Sequence, residues 1–352
     1  MTIRLRRDHF TVVGANAALW TDMNMTMTMS KLGIARLAVL VSVIEAGSPP
    51  SLAQTSYPTR QVTIVVPVPA GPIIDIVPRI IAQKLSARWG QPVIVENRPG
   101  ASSMIGAEYV SKAAPDGYTL LFTPPNPLVQ AQHFFPKLGY DPAAFTPVTL
   151  MFRLPLLWVA NPKISASNFS ELLAYGRANP GKLTFGSAGQ GSDPHIKLME
   201  LMSVTGANYV HVPYQGLGPA GNDLLAGHID FMIDSASNAI PRVRDGRLKI
   251  LAAATKKRVA DLAEVPAAEE TVPGLMTTDW FALVAPPGTP REIAEKISMA
   301  IAESMREPDI LERLKSQFVI PVGSSPADTD TMLKQEATRF GEIIKKLDIK
   351  AE

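Results

Sequence analysis

Three loops carry the residue types from which an anion site is built. Pro67–Asp75 follows the β-branched run Val62–Val66 and opens a helix-like pattern. Gly186-Ser187-Ala188-Gly189-Gln190-Gly191-Ser192 stands between the strand-like Leu183–Phe185 and a second helix-like segment. At such junctions free backbone N–H groups and the positive end of a helix face the space beyond a strand, where anions bind readily. Glycines allow close backbone approach, serines add hydroxyl donors, and Asp75 is placed to cap its helix. Without a ligand the first loop reads as a proline-stiffened turn and the second as a serine-capped one. The third loop, Gly216-Leu217-Gly218-Pro219-Ala220-Gly221, has the spacing G-x-G-x-x-G, and Asp234 follows downstream. Taken literally it marks a dinucleotide-dependent oxidoreductase, but Pro219 interrupts the N–H series that would cradle a pyrophosphate.

Other chemistry finds little support. No serine sits in G-x-S-x-G, no histidine begins H-E-x-x-H, and no P-loop sequence occurs. His133, His195, His211 and His228 are not spaced like metal ligands. His211 and His228 flank strands and read as packing or surface residues, whereas His195, at a helix start just past Ser192, can face a cleft. Cysteine is absent, which removes disulfides, thiol nucleophiles, cysteine-held metals and a lipoprotein anchor. The expectation is a binding protein rather than an enzyme, with no cofactor and no metal.

The elements that position these loops alternate. The chain has 352 residues, 46% hydrophobic and 19% charged, which suggests two domains and excludes a multi-span membrane protein. Lys31 and Arg36, the apolar run Leu37–Ile44 and Ser51-Leu52-Ala53 read as a secretory signal peptide. Met23, Met25, Met27 and Met29 suggest that residues 1 to about 22 are a mis-assigned start. Without residues 1–53, five of the 34 basic and three of the 32 acidic residues go and net charge falls to zero, so no nucleic-acid surface is expected. Strand and helix alternate to Phe122, restart at Leu156, and give way to mostly helical chain after Pro286. That order predicts parallel sheets flanked by helices, divided as 54–154 with 279–352, and 155–278.

Six ordered segments carry a family resemblance: Tyr57-Pro58 with Val62–Pro67; Val95–Ala101; Pro115–Leu121; Asn179–Leu183; Gly186-Ser187 through His195; and Val212–Gly216. Over almost all of the chain past Tyr57, the sequence resembles the Bug-type periplasmic solute receptors of tripartite tricarboxylate transporters. The resemblance implies an α/β, two-lobe Venus-flytrap periplasmic binding protein fold (type II-like), each lobe a mainly parallel sheet flanked by helices. It also implies a monomer that captures a small carboxylate and docks on transporter membrane subunits. A ligand sensor presenting its closed form to a signalling partner would share these features. Site residues implied by the family are Pro69, Ala70, Gly71 and Asp75; Thr123 and Asn126; Ser187, Gly189, Ser192 and His195; and Tyr214, Gly216, Ala220 and Asp234. The sequence departs from the family's Gly-Gly-x-x-Asp loop, with Pro72 lacking an N–H, Ile74 lacking a hydroxyl and Pro78 removing another free N–H. That departure points to a ligand more apolar than a small dicarboxylate.

Overall fold

The run Val-Thr-Ile-Val-Val at Val62–Val66 is β-branched throughout and mostly buried, the pattern of a strand covered on both faces. As β1 it lies between two parallel partners, β2 (Val93–Asn97) and β3 (Thr119–Thr123), with Ile64 opposite both Val95 and Leu120. Between β1 and β2 runs α1 (Ile73–Trp89), which buries Val77, Ile80, Ile81 and Leu85 as one stripe against the sheet. Helix α2 (Met104–Ser111) returns the chain to β3. The computed structural model describes residues 57–71, 73–135, 137–259, 262–275 and 279–347. The expected leader, 1–53, and Pro72 lie outside them.

After β3 the chain makes a π-helical turn at Asn126–Gln130 that runs into α3 (Ala131–Phe134). It then enters β4 (Thr146–Leu154), and Pro155 alone separates β4 from β5 (Leu156–Ala160). A second layered unit follows: α4 (Phe169–Ala178), β6 (Thr184–Ser187), α5 (Asp193–Thr205), β7 (Val210–Pro213), α6 (Leu217–Ala226), β8 (Phe231–Ser235), α7 (Ala236–Arg244) and β9 (Lys249–Ala253). The short α8 (Ala268–Thr271) leads to β10 (Asp279–Ala285), then α9 (Arg291–Met305), α10 (Pro308–Ser316), β11 (Ile320–Pro321) and α11 (Pro326–Leu347).

The strands form two sheets, ordered β11-β4-β10-β3-β1-β2 and β7-β6-β8-β5-β9. Each has a parallel part, β2-β1-β3 and β7-β6-β8, completed by antiparallel strands. β10 runs antiparallel to β3 and β4, and β5 antiparallel to β8 and β9. The sheets are therefore more mixed than the alternation predicts. The extra strands lie where the chain passes from one sheet to the other, through β4 into β5 and back along β10. The alternation places no strand between Phe122 and Leu156 or just before Pro286, so β4 and β10 are additions to it, although Val148, Leu150, Phe152 and Leu154 are all buried.

Aromatic side chains anchor both sheets. Phe122, Phe152 and Phe281 stack in the first, with ring centroids 5.0–5.8 Å apart. Trp158, Phe169, Phe185 and Phe231 group in the second. Such pairs add about 0.5–1.5 kcal/mol each beyond area burial. Helix α11 packs on β4, and its Phe340 and Ile344 share a core cluster with Ile196 of α5, linking the first sheet's layer to the second's.

Candidate functional site

The parallel strands of both sheets end in the loops that carry the candidate residues. β1, β2 and β3 end at Val66, Asn97 and Thr123; β6, β7 and β8 end at Ser187, Pro213 and Ser235. Open α/β sheets bind ligands in the crevice just beyond such carboxyl ends. Contacts between the two sets of loops are direct. Ser102 Oγ donates to the Gln190 carbonyl at 2.8 Å, and Gln130 Nε2 donates to Asp193 Oδ1 at 2.9 Å. Gly189 has φ 125°, a conformation that favours glycine, and a Cβ there would come 3.0 Å from Ser102 Oγ, a tight approach. Pro69 lies against Gly216, whose added Cβ would stand 3.8 Å from Pro69 Cδ.

On the first-sheet side, Asp75 organises its loop. Its buried carboxylate accepts from Arg79 Nε and Nη2 at 3.0 and 2.9 Å, from Asn97 Nδ2 at 2.8 Å and from Gly71 N at 3.1 Å. Burial would raise its pKa, but the hydrogen bonds from Arg79, Asn97 and Gly71 together hold it below the usual carboxylate value. Asp75 thus reaches back four residues from inside α1, and the Gly71 N–H serves it. Pro69 and Ala70, beside Gly71, are exposed. With α1 beginning at Ile73, Pro78 falls in the second turn, so it removes an intrahelical bond rather than a free N–H. Ile74 is half-buried against the core. Thr123 is fully buried and donates to the Pro124 carbonyl, while Asn126 Nδ2 donates to the Ser102 carbonyl at 2.6 Å.

The Ala101-Ser102-Ser103 stretch departs from ordinary backbone. These three non-glycine residues have φ of 44°, 49° and 77°. Left-handed positions of this kind cost about 1–3 kcal/mol each and gather at ligand sites. Sequence reasoning named neither serine, since only the backbone angles reveal them.

On the second-sheet side the centre is a serine–histidine cluster. Ser187 is fully buried; its Oγ accepts from Gly189 N at 3.1 Å and lies 2.6 Å from His211 Nε2. The His211 and His195 rings stack, centroids 4.0 Å apart and planes 15° off parallel. His195 Nδ1 accepts from Gly191 N at 3.1 Å, so the neutral ring carries its proton on Nε2. Burial lowers both pKa values to about 4, His211 also bearing on His195. At neutral pH the pair is uncharged. His211 thus joins Ser187 and His195 in one cluster; it lies two residues before the end of β7 at Pro213, opposite Phe185.

Ser192 is the N-cap of α5 and makes no side-chain cap, and its buried hydroxyl has no hydrogen-bond partner. Asn126 Oδ1 and Gln130 Oε1 share that condition. Beneath them Asp193 pairs with the buried Lys197, one turn along α5. Gln130, Asp193 and Lys197 were not named from the sequence.

The remaining candidates are engaged elsewhere. Tyr214 donates its hydroxyl to Asp223 Oδ2 at 2.7 Å, and burial with that carboxylate pushes its pKa up to about 12. Ala220 is core, packed under Gly186. Asp234 is buried, accepts from Ser235 N and Asn238 Nδ2, and pairs with Arg242 at 3.3 Å; burial raises its pKa to about 6. The G-x-G-x-x-G loop lacks dinucleotide geometry. β7 is an edge strand, β6 separates it from the strand bearing Asp234, and Gly218 would accept a Cβ without contact. A cavity of about 330 Å³ lies apart from all these loops, beside Pro155, and is lined by Val259, Leu311, Phe318 and Ile320. Its lining is mostly apolar and offers no set of converging donors. Among the described residues, no His, Asp or Glu group could hold a metal ion.

A family model for tripartite tricarboxylate transporter family receptors matches residues 77–349. The chain is 32% identical over 332 residues to the protein BugT of Bordetella pertussis, covering 93% of this chain and 99% of that one. The MatC protein of Rhodopseudomonas palustris, solved with bound malate, shares 32% identity at a TM-score of 0.76 over 82% of this chain and all of its own. Another R. palustris protein, solved with adipate, shares 34% identity at a TM-score of 0.79, covering 83% of this chain and 99% of that one. With two mixed sheets, facing loops and a match over most of its length, the chain belongs to the tripartite tricarboxylate transporter receptor family.

Proposed function

We propose that this protein is a periplasmic receptor that captures a small carboxylate between two lobes and hands it, unchanged, to the membrane subunits of a tripartite tricarboxylate transporter. The lobes are residues 54–154 with 279–352, and 155–278, a division supported by the membership of the two sheets. The observation that carries the reading is Ser192: it stands at the N-terminus of a 13-residue helix, and its buried hydroxyl is spent on no cap. A carboxylate there would meet a hydroxyl, the N–H groups of a helix start and the neutral His195–His211 pair. The relatives solved with malate and adipate support a carboxylate as the ligand class.

Thermal unfolding with a panel of carboxylates tests the proposal. A ligand at 100 times its Kd adds about 2.7 kcal/mol to stability, a rise of several degrees in Tm. At least one carboxylate should produce it. A shift with NAD and with none of the acids would reverse the reading in favour of the oxidoreductase.

A further inference from the structure

The loops facing each other form a closed circuit of named contacts. Ser102 holds the Gln190 carbonyl, Asn126 Nδ2 holds the Ser102 carbonyl, and Gln130 Nε2 holds Asp193, which adjoins Ser192. Asn126 and Gln130 lie four apart on one π-helical turn, which brings both to one face. They are 3% and 0% exposed, and each leaves its amide oxygen without a partner. Neither amide can be flipped to cure this. Each nitrogen already faces an oxygen that only accepts, a backbone carbonyl in one case and a carboxylate in the other. The circuit therefore contributes two buried acceptors, Asn126 Oδ1 and Gln130 Oε1, and buried acceptors of this kind are rarely left unpaired.

We propose that the ligand carries, beside its carboxylate, a hydrogen-bond donor, either hydroxyl or ammonium, that these two oxygens receive. This rests on the carboxylate-receptor reading and narrows it. A plain acid would bury both acceptors unpaired, and sites built to hold a substrate O–H or N–H discriminate strongly against the analogue lacking it. The acceptors carry no full charge, so either donor serves.

Calorimetry on the purified protein with matched acids tests the proposal: succinate, malate and aspartate; adipate and 2-aminoadipate; benzoate and 4-hydroxybenzoate. In whichever set binds, the donor-bearing member should bind about tenfold or more tightly than its plain analogue. Comparison of the hydroxyl and ammonium members tells which donor is received. Gln130→Met and Asn126→Leu should bring that ratio close to one. The native ratios decide alone if Asn126→Leu, which also releases Ser102, fails to fold. Plain acids binding as tightly as their donor-bearing partners would overturn the proposal and leave the receptor reading standing. No binding by any acid would remove both.

Discussion

Ser192 is a serine where a helix cap is expected, and its hydroxyl caps nothing. Replacing it removes no bond within the protein, so Ser192→Ala should leave the Tm of the empty protein within about a degree. Binding of the captured acid should weaken about 10- to 150-fold, the range for losing a charge-assisted hydrogen bond of about 1.5–3 kcal/mol. Calorimetry and thermal unfolding read the two effects separately, and equal affinity of the variant would remove Ser192 from the site. The histidine pair gives a pH signature. His195 and His211 are held at about 4, against about 6.5 when unfolded, so between these values the unfolded chain takes up protons that the folded chain refuses. Stability should fall as pH drops from about 6.5 towards 4. Asp234, raised to about 6 by burial, works in the opposite sense over part of that range. The measurement is therefore the difference in Tm against pH between the native protein and His195→Gln/His211→Gln, whose acid slope should be shallower. At this scale the sequence showed which loops hold Ser187, Ser192 and His195. It did not show His211 stacking on His195, because that pairing joins residues through neighbouring strands rather than along the chain.

Short elements whose character is local were legible. The stripe Val77, Ile80, Ile81 and Leu85 reads as helix α1, and β1 and β5 fall where their β-branched or apolar runs predict. β4 and β10 were hidden because their partners lie more than a hundred residues away and they are buried as pairing strands, not as alternating ones. Asp75 shows how an element positions a loop. It ties α1 to β2 through Asn97 and to the loop through Gly71, with Arg79 closing the network. Asp75→Ala should strip these bonds together, lower stability by about 2 kcal/mol and weaken ligand binding as Pro69-Ala70-Gly71 loses its anchor. Denaturant unfolding and calorimetry check both; a variant with native stability would show that the loop holds itself.

Across the whole molecule, the alternation of strand and helix and its restart at Leu156 carried the existence of two sheets. The mixed strand directions were not legible, since they follow from the chain crossing twice between sheets. Ser102–Gln190 and Gln130–Asp193 join loops of the two sheets directly, and α11 reaches from β4 to α5. A solute seated among these loops favours the arrangement that brings them together, because it gains contacts from both sides only there. The most direct measurement is a crystal structure of the protein with the tightest-binding acid from the panel. The expected result is a carboxylate within hydrogen-bond distance of Ser192 Oγ and the Ser187–Gly191 backbone, under Pro69 and Ala70. An acid seated instead in the apolar cavity beside Pro155 and Phe318, with Ser187 and Ser192 untouched, would contradict it.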